Sequence, residues 1–323
     1  MRVRQVLWLS VFFVLFNVNL VLASGHKQKV AIVLASFGTT YPQTLDCILN
    51  IQNKIAQTFP KAKVKIAFTS NIIRKIWHKR QNDPVWTKNK RVPKEILYVK
   101  GPLATIADLQ DEGYKTIIVQ PTHVFAGEEF IDLCSYIRGL NSIKTIKPKY
   151  MPFKKLVISR PLTGMWGIQH DYHKDLEQVA KALAQDVALA KGKKAALVYM
   201  GHGNEFFSTG IYIEFQQVMR RMYPDTKIYV GTVEGFPAFD DVLNALVHGQ
   251  IKRVVLKPFM IVAGDHARND MAGDEPGSWK NRLEAKGITV FPVIQGLGEN
   301  PQIVQLFISH LKDTLKDYHI NLY

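Results

Sequence analysis

Two histidines and a glutamate supply the residue types that would bind a divalent metal in this sequence. They are His202 in Met-Gly-His-Gly, Glu234 in Gly-Thr-Val-Glu-Gly and His266 in Val-Ala-Gly-Asp-His, each 32 residues from the next. Each comes after a short apolar run that predicts a β-strand: Ala195–Met200, Ile228–Val233 and Val254–Val262. Because parallel strands end at one edge of a sheet, where ligands bind, we expect the three side chains to converge. Two imidazoles and a carboxylate favour a transition metal with one coordination position left open.

The neighbours of these residues favour a site over a structural role. Glycines on both sides of His202 let the backbone turn tightly and leave the imidazole facing a cleft. A carboxylate such as Glu234 is costly to bury unpaired. Asp265 or Asp270 is close enough in sequence to orient His266. Taken singly, each residue also fits an ordinary position in a fold, but their shared placement at strand ends of one half of the chain favours a metal site.

Strands and helices alternate along the chain, which predicts an α/β fold with parallel sheets flanked by helices. The pattern Ile117–Gly127 recurs as Val254–Gly264 at a constant offset of 137 residues, with a proline and an Ala-Gly pair in register. We therefore predict two similar lobes, residues 29–150 and 195–323. Residues 151–194 join them and include one long helix, His170–Ala190.

The N-terminus predicts export. Residues 1–23 combine Arg2 and Arg4, an apolar run over Val6–Leu22 and a small-residue cleavage site before Ser24, as in a secretory signal peptide. An uncleaved anchor is the alternative, but the run is short for a membrane span. After cleavage we expect no stable membrane span and a periplasmic protein.

The chain is strongly basic, with a formal net charge of +15 that falls to about +13 without Arg2 and Arg4. Two loop-like stretches, Arg74–Lys94 and Lys144–Lys155, hold much of the excess, which predicts an anionic partner. Export makes nucleic acid an unsuitable partner. Cys47 and Cys134 lie in predicted helices without a CxxC motif, and two separate thiols are favoured over a disulfide.

Other site chemistries lack their motifs. The sequence contains no G-x-x-x-x-G-K-[ST] phosphate loop, no G-x-S-x-G elbow and no H-E-x-x-H. The loop of Ser36, Phe37, Gly38 and Thr39 after the first strand would present amides and hydroxyls to an anion, or would serve as an ordinary strand-to-helix turn.

Several strings in the sequence carry a resemblance to one enzyme family. They are Ser36–Thr39 (SFGT), Met200–Gly203 (MGHG), Val233–Glu234 (VE), Val262–Ala267 (VAGDHA), Asn269–Ala272 (NDMA), Ser278–Lys280 (SWK) and Gly296–Pro301 (GLGENP). Together they resemble the anaerobic cobalt chelatases of cobalamin biosynthesis, which are class II chelatases, and the similarity covers nearly all of the chain after the N-terminal segment. The export signal resembles that of the periplasmic members.

The resemblance implies a two-lobed chelatase fold with the active site in the cleft between the lobes. It also implies ATP-independent insertion of Co²⁺ into sirohydrochlorin, a polyanionic tetrapyrrole. His202, Glu234 and His266 match the family's metal-binding positions, and His202 is the candidate general base because a neutral imidazole accepts protons near pH 7. Ser36, Phe37, Gly38, Thr39 and His123 are candidate contacts to the tetrapyrrole, although the repeat has Met260 in the place of His123.

Metal choice and several alternatives stay open at this point. The ligands suit Co²⁺ but also Fe²⁺, Ni²⁺ and Zn²⁺. A periplasmic carrier of metal or tetrapyrrole, or an Fe²⁺ chelatase acting toward sirohaem or haem, would use the same residues. Haem binding is an option for which no axial ligand stands out among His78, His123, His170 and His173. The sequence leaves the oligomeric state open, including a homo-oligomer.

Overall fold

The structure is a computed structural model that describes residues 29–167, 169–205 and 209–322, and it contains two parallel four-stranded sheets. The first sheet has the order β2-β1-β3-β4 and consists of β1 (Val30–Ser36), β2 (Lys63–Phe68), β3 (Thr116–Pro121) and β4 (Lys155–Ile158). The second has the order β6-β5-β7-β8 and consists of β5 (Ala196–Gly203), β6 (Ile228–Glu234), β7 (Arg253–Pro258) and β8 (Thr289–Pro292). The predicted α/β fold with two similar sheets is confirmed.

Helices connect the strands and cover both sheets. Around the first sheet they are α1 (Asp46–Thr58), α2 (Asn71–Arg80), α3 (Pro84–Thr87), α4 (Lys94–Leu97), α5 (Pro102–Asp111) and α6 (Glu128–Asn141). Two connecting helices follow, α7 (Tyr172–Ala182) and α8 (Ala184–Gly192). Around the second sheet they are α9 (Gly210–Met222), α10 (Phe239–His248), α11 (Trp279–Glu284) and α12 (Pro301–Asp317).

Each sheet is buried on both faces, as parallel sheets require. In β1, Ile32 and Leu34 join a large apolar core that also contains residues of the second sheet. Ala31 and Val33, which point the other way, pack with α5 and α6 in a separate core. A third core covers the far face of the second sheet with α10 and α11. The shared core joins the two halves of the molecule.

The C-terminal helix α12 reaches back to the first half of the chain, where it packs on α1 and α7. Arg160, just after β4, strengthens this junction. Its guanidinium contacts the carboxylates of Asp175 at 2.7 Å and Asp313 at 2.8 Å, on α7 and α12. The last helix of the predicted second lobe therefore packs on the first lobe, and the boundaries 29–150 and 195–323 stay a prediction.

The internal repeat corresponds to matching elements. β3 and β7, which carry the repeated pattern, occupy the same place in their strand orders, and their first and last residues differ by 137 positions. The preceding helices α5 and α10 differ by the same offset. The positions after β3 and after β7 are therefore structurally comparable.

Three local predictions were wrong. The single helix His170–Ala190 is two helices that meet at Leu183, whose ψ of 12° breaks the helical path. The predicted strand Val254–Val262 ends at Pro258, because the carbonyls of Met260 and Ile261 accept hydrogen bonds from Leu297 and Gly298 instead of a neighbouring strand. The stretch Arg74–Lys94 was expected to be loop, but much of it is helical.

The remaining predictions concern the two cysteines, the N-terminal segment and membrane spans. Cys47 and Cys134 are free thiols, so the two-thiol interpretation is confirmed. The predicted signal peptide, residues 1–23, lies outside the described residues. Within the described part of the chain, no helix is both long and apolar enough to span a membrane.

Candidate active site in the cleft between the sheets

The ends of β5 and β6 bring His202 next to Glu234. The two strands pair to their last residues, with Gly203 opposite Glu234. Gly203 has a φ of +83°, and a Cβ there would lie 1.7 Å from the carbonyl oxygen of Glu234, so only glycine fits. As a result, His202 Nδ1 lies 3.9 Å from Glu234 Oε2. The predicted convergence of the first two residues is confirmed by the geometry.

His266 reaches the same place from a different kind of element. It lies eight residues past the end of β7, in a helical turn that continues as a π-helix, Ala267–Met271. Its ring centroid is 4.9 Å from that of His202, with the rings nearly perpendicular. His266 Nδ1 is 2.6 Å from Asp270 Oδ2. Of the two predicted orienting carboxylates, Asp270 is therefore the one that contacts the imidazole.

The hydrogen-bond partners fix which nitrogen of each ring carries a lone pair. His202 Nδ1 faces two acceptors, the carbonyl oxygen of Gly203 at 3.2 Å and the carboxylate of Glu234. His266 Nδ1 faces the carboxylate of Asp270. A nitrogen that faces acceptors carries the hydrogen, so Nε2 is the nitrogen that holds the lone pair in the neutral form of either ring. Two Nε2 lone pairs in adjacent rings are suited to bind a metal or accept a proton.

Both imidazoles line a cleft of about 530 Å³ between the two sheets. This volume is in the usual range for small-molecule sites. The second half contributes residues around His202 and His266, and the first half contributes the loop after β1, the apolar face of α2 and the segment after β3. Glu234 lies beside His202 but is not among the described residues that line the cleft, and its side chain is 41% exposed.

The loop after β1 forms part of the opposite wall. Ser36, Phe37, Gly38 and Thr39 all line the cleft, as predicted for contacts to a ligand. Phe37 is 41% exposed, and its ring lies 6.4 Å from that of His202, across the cleft. Gly38 has a φ of +99°, and a Cβ there would meet the Phe68 ring at 2.7 Å. The Thr39 hydroxyl is 2.8 Å from that of Thr44 and accepts from the Tyr41 amide, so it also stabilises the turn.

His123, after β3, is the other predicted contact and lines the same wall. Both of its ring nitrogens are buried and have no hydrogen-bond partner in the described structure. Its ring contacts Phe130 edge-on, with centroids 6.5 Å apart. Burial lowers the pKa of His123 to about 4, so the ring is neutral at physiological pH.

The three predicted metal ligands thus meet in space without forming a closed set. Among residues 29–167, 169–205 and 209–322, no three His, Cys, Asp or Glu side chains are arranged to hold a metal ion as they stand. The assignment of His202, Glu234 and His266 as ligands stays a prediction.

The remaining histidines considered as haem ligands have protein partners. His78 Nε2 lies 2.9 Å from the carbonyl oxygen of Val99, and His170 Nε2 lies 2.6 Å from Asp317 Oδ2. His173 Nδ1 lies 2.7 Å from Asp171 Oδ1 at the start of α7. These contacts indicate structural roles for the three rings.

Sequence reasoning missed the residues that join the two walls. The Tyr41 hydroxyl donates to Asp265 Oδ1 at 2.8 Å, next to His266, and the guanidinium of Arg268 lies 5.4 Å from the centre of the Tyr41 ring. The apolar residues of α2 also line the cleft: Ile72, Ile73 and Ile76. Ile72 is exposed, a property that its helical spacing in the sequence does not reveal. Nothing in the sequence pairs Tyr41 with Asp265.

The chain is similar in sequence to known proteins. The profile of the family described as cobalt chelatase (CbiK) matches residues 30–316. The sirohydrochlorin cobaltochelatase of Salmonella typhimurium is 32% identical over 291 residues, which cover 89% of this chain and 97% of that protein. Sirohydrochlorin cobaltochelatase CbiKC of Nitratidesulfovibrio vulgaris is 29% identical over 283 residues, which cover 88% and 89%.

A solved structure agrees at the level of the fold. The sirohydrochlorin chelatase SirB from Bacillus subtilis subspecies spizizenii, in complex with cobalt, superimposes with a TM-score of 0.53 at 14% identity, covering 90% of this chain and 96% of that one. The paired sheets with a cleft between them are therefore the fold of a class of metal chelatases. Within that class, the chain belongs to the cobalt chelatase (CbiK) family.

Proposed function

We propose that this protein inserts Co²⁺ into sirohydrochlorin without ATP. The observation that carries the proposal is the pair of adjacent imidazoles, His202 and His266, which line a cleft walled by both sheets. Membership of the cobalt chelatase family and the names of its relatives supply the reaction and the substrate.

The reaction exchanges two pyrrole N–H protons for one divalent metal ion. We assign Glu234 and His266 to hold the metal, which is a substrate that must be released, and His202 to ligate it and, once the metal has passed to the macrocycle, to accept a proton. Asp270 keeps His266 in the orientation and tautomer that ligation needs. Imidazole and carboxylate also bind Fe²⁺, Ni²⁺ and Zn²⁺, so the donor set by itself does not select cobalt.

The first wall is assigned to the tetrapyrrole. The apolar residues Phe37, Ile72 and Ile76 match the faces of a flat conjugated ring, and Ser36 and Gly38 line the cleft beside them. Sirohydrochlorin is a polycarboxylate, and the net charge of +15 favours its attraction to the protein.

Residues 1–23 are proposed to direct export and to be removed, which would place the mature protein in the periplasm. Amino-terminal sequencing of the protein from its host, together with cell fractionation, tests this. A mature chain that begins near Ser24 in the periplasmic fraction supports the proposal, and an intact Met1 in the cytoplasm contradicts it.

Anaerobic turnover of the mature protein with sirohydrochlorin and each divalent metal tests the proposed reaction. We expect formation of cobalt-sirohydrochlorin to be catalysed over the spontaneous rate. Equilibrium binding of sirohydrochlorin or metal without turnover would indicate a carrier instead. Faster turnover with Fe²⁺ than with Co²⁺ would indicate a ferrochelatase.

A further inference from the structure

Metal insertion removes two protons from the macrocycle and therefore requires two proton acceptors. The metal site does not supply both of them. Each pyrrole nitrogen that loses a proton must pass it to a base while the metal takes the freed electron pair. An imidazole nitrogen that binds the metal cannot accept a proton with the same lone pair. His202 and His266 each have one such nitrogen, since their Nδ1 atoms face other acceptors. A further base is therefore expected on another surface of the cleft.

His123 is a base on the other wall. It follows β3 of the first sheet, whereas His202 and His266 belong to the second, and all three line the same cleft. A flat tetrapyrrole lying between the walls would have His202 and His266 on one side and His123 on the other.

The surroundings of His123 destabilise the protein unless its ring nitrogens form a hydrogen bond in another state, such as the ligand-bound one. The residue as a whole is half-buried, yet both ring nitrogens are covered and make no hydrogen bond in the described structure. Leaving a buried polar group unpaired is destabilising, because the group loses its hydrogen bonds to water and gains none in return. A rotation of the ring into the cleft would recover this cost when a ligand offers it a polar partner. Buried polar groups that stay unpaired in a free protein call for an explanation of this kind.

We infer that His123 is the catalytic base that accepts a pyrrole proton from the face of the macrocycle opposite the metal site. This inference rests on the proposed chelatase function. In the step, a pyrrole N–H bond breaks, its electron pair stays on nitrogen and forms the bond to the metal, and the proton moves to the unprotonated nitrogen of His123. The resulting imidazolium returns its proton to water when the product leaves.

Two features of the wall fit this role. The ring is neutral in the free protein, so its lone pair is available and it does not repel an arriving dication. The edge-on contact with Phe130 leaves the ring without a competing hydrogen bond on that side.

The test compares His123→Phe, which keeps a flat ring without a base, with His248→Gln as a matched control. His248 is exposed on α10, away from the cleft. We expect the single-turnover rate of cobalt insertion to fall about 100-fold or more in His123→Phe, which is the usual contribution of a general base. The dissociation constant for metal-free sirohydrochlorin should change by less than about 3-fold, because the base acts on the reaction and not on binding. His248→Gln should match the wild type.

A second variant covers the case in which His123→Phe does not fold. His123→Ala should regain part of the insertion rate when imidazole is added, which a purely structural role would not allow. An insertion rate within about 3-fold of wild type in either variant, or a loss explained wholly by weaker sirohydrochlorin binding, would overturn the inference. Absence of turnover by the wild type with every metal would remove the proposed function and this role together, whereas turnover by His123→Phe removes only the role.

Discussion

The two sheets have the same strand order but carry different chemistry at their ends. After β1 the chain presents Phe37 and Gly38, whereas the equivalent strand β5 presents His202 as its second-to-last residue. After β3 it presents a neutral His123 whose ring nitrogens are buried, and the matching position after β7 is Met260. The two sheets thus share a scaffold, while one wall of the cleft is mainly apolar, where we propose that the tetrapyrrole binds, and the other carries the two imidazoles that we propose as metal ligands. The chemical difference between the two halves lies at the strand ends and not in the sheets.

The largest expected effect concerns the close approach at the end of β5. Gly203→Ala places a Cβ 1.7 Å from the carbonyl oxygen of Glu234 at a φ of +83°, so we expect a loss of roughly 3 kcal/mol or more in the free energy of unfolding. Denaturant unfolding measures it. Gly139→Ala is the matched control, because Gly139 lies in α6 with no atom within 4 Å of the new Cβ, and it should stabilise the protein by about 0.5–1 kcal/mol.

The second prediction concerns the pH dependence of stability that His123 gives to the first wall of the cleft. His123 binds a proton at about pH 6.5 when unfolded but only at about pH 4 when folded, so the unfolded state gains protons first as the pH falls. This histidine should therefore lower the stability by up to about 3 kcal/mol between pH 6.5 and 4. The buried His310 acts in the same direction. Unfolding curves of wild type and His123→Phe at pH 7 and pH 4.5 isolate the contribution of His123, and equal acid sensitivity of the two proteins would refute it.

A third prediction concerns the orientation of His266. Asp270→Ala removes the carboxylate that lies 2.6 Å from Nδ1, which frees the ring and its tautomer. Loss of such a partner costs roughly 10–100-fold in metal affinity or activity. Co²⁺ titration and the insertion rate measure this effect. Asp274→Ala, on the exposed turn that follows, serves as the control and should leave both values unchanged.

The smallest expected effect is at the contact that joins the walls. Tyr41→Phe removes the hydrogen bond to Asp265 and should lower the free energy of unfolding by about 0.5–1 kcal/mol. That same hydrogen bond raises the pKa of Tyr41, so its contribution is present below pH 10 and is lost as the pH rises through the raised pKa. If the difference in the free energy of unfolding between wild type and Tyr41→Phe persists unchanged above the raised pKa of Tyr41, the hydrogen bond to Asp265 does not stabilise the protein as described.

The parts of the site that follow from local sequence could be predicted. Apolar runs fix β5 and β6, and a residue at the end of each strand must meet its neighbour in a parallel pair, as His202 and Glu234 do. The helical spacing from His266 to Asp270 likewise brings their side chains together. The constant offset of the repeat identified β3 and β7 as equivalent strands.

The features that depend on contacts between distant parts of the chain could not be predicted from the sequence. Tyr41 and Asp265 are 224 residues apart, and only the packing of the two halves brings them within 2.8 Å. The end of β7 at Pro258 depends on hydrogen bonds from Leu297 and Gly298, while the apolar pattern itself continues to Val262. The break at Leu183 has no proline or glycine to signal it. The burial of His123 also follows from tertiary packing, which a single histidine after a strand does not reveal.

The most direct test of the account is the rate of Co²⁺ insertion into sirohydrochlorin by His202→Ala, measured anaerobically beside His248→Ala. We predict that His202→Ala loses about 1,000-fold or more of the rate, since it removes a base and a metal ligand at once, while it stays folded and His248→Ala remains active. Near-normal insertion by a folded His202→Ala protein would contradict the assignment of the chemistry to the end of β5.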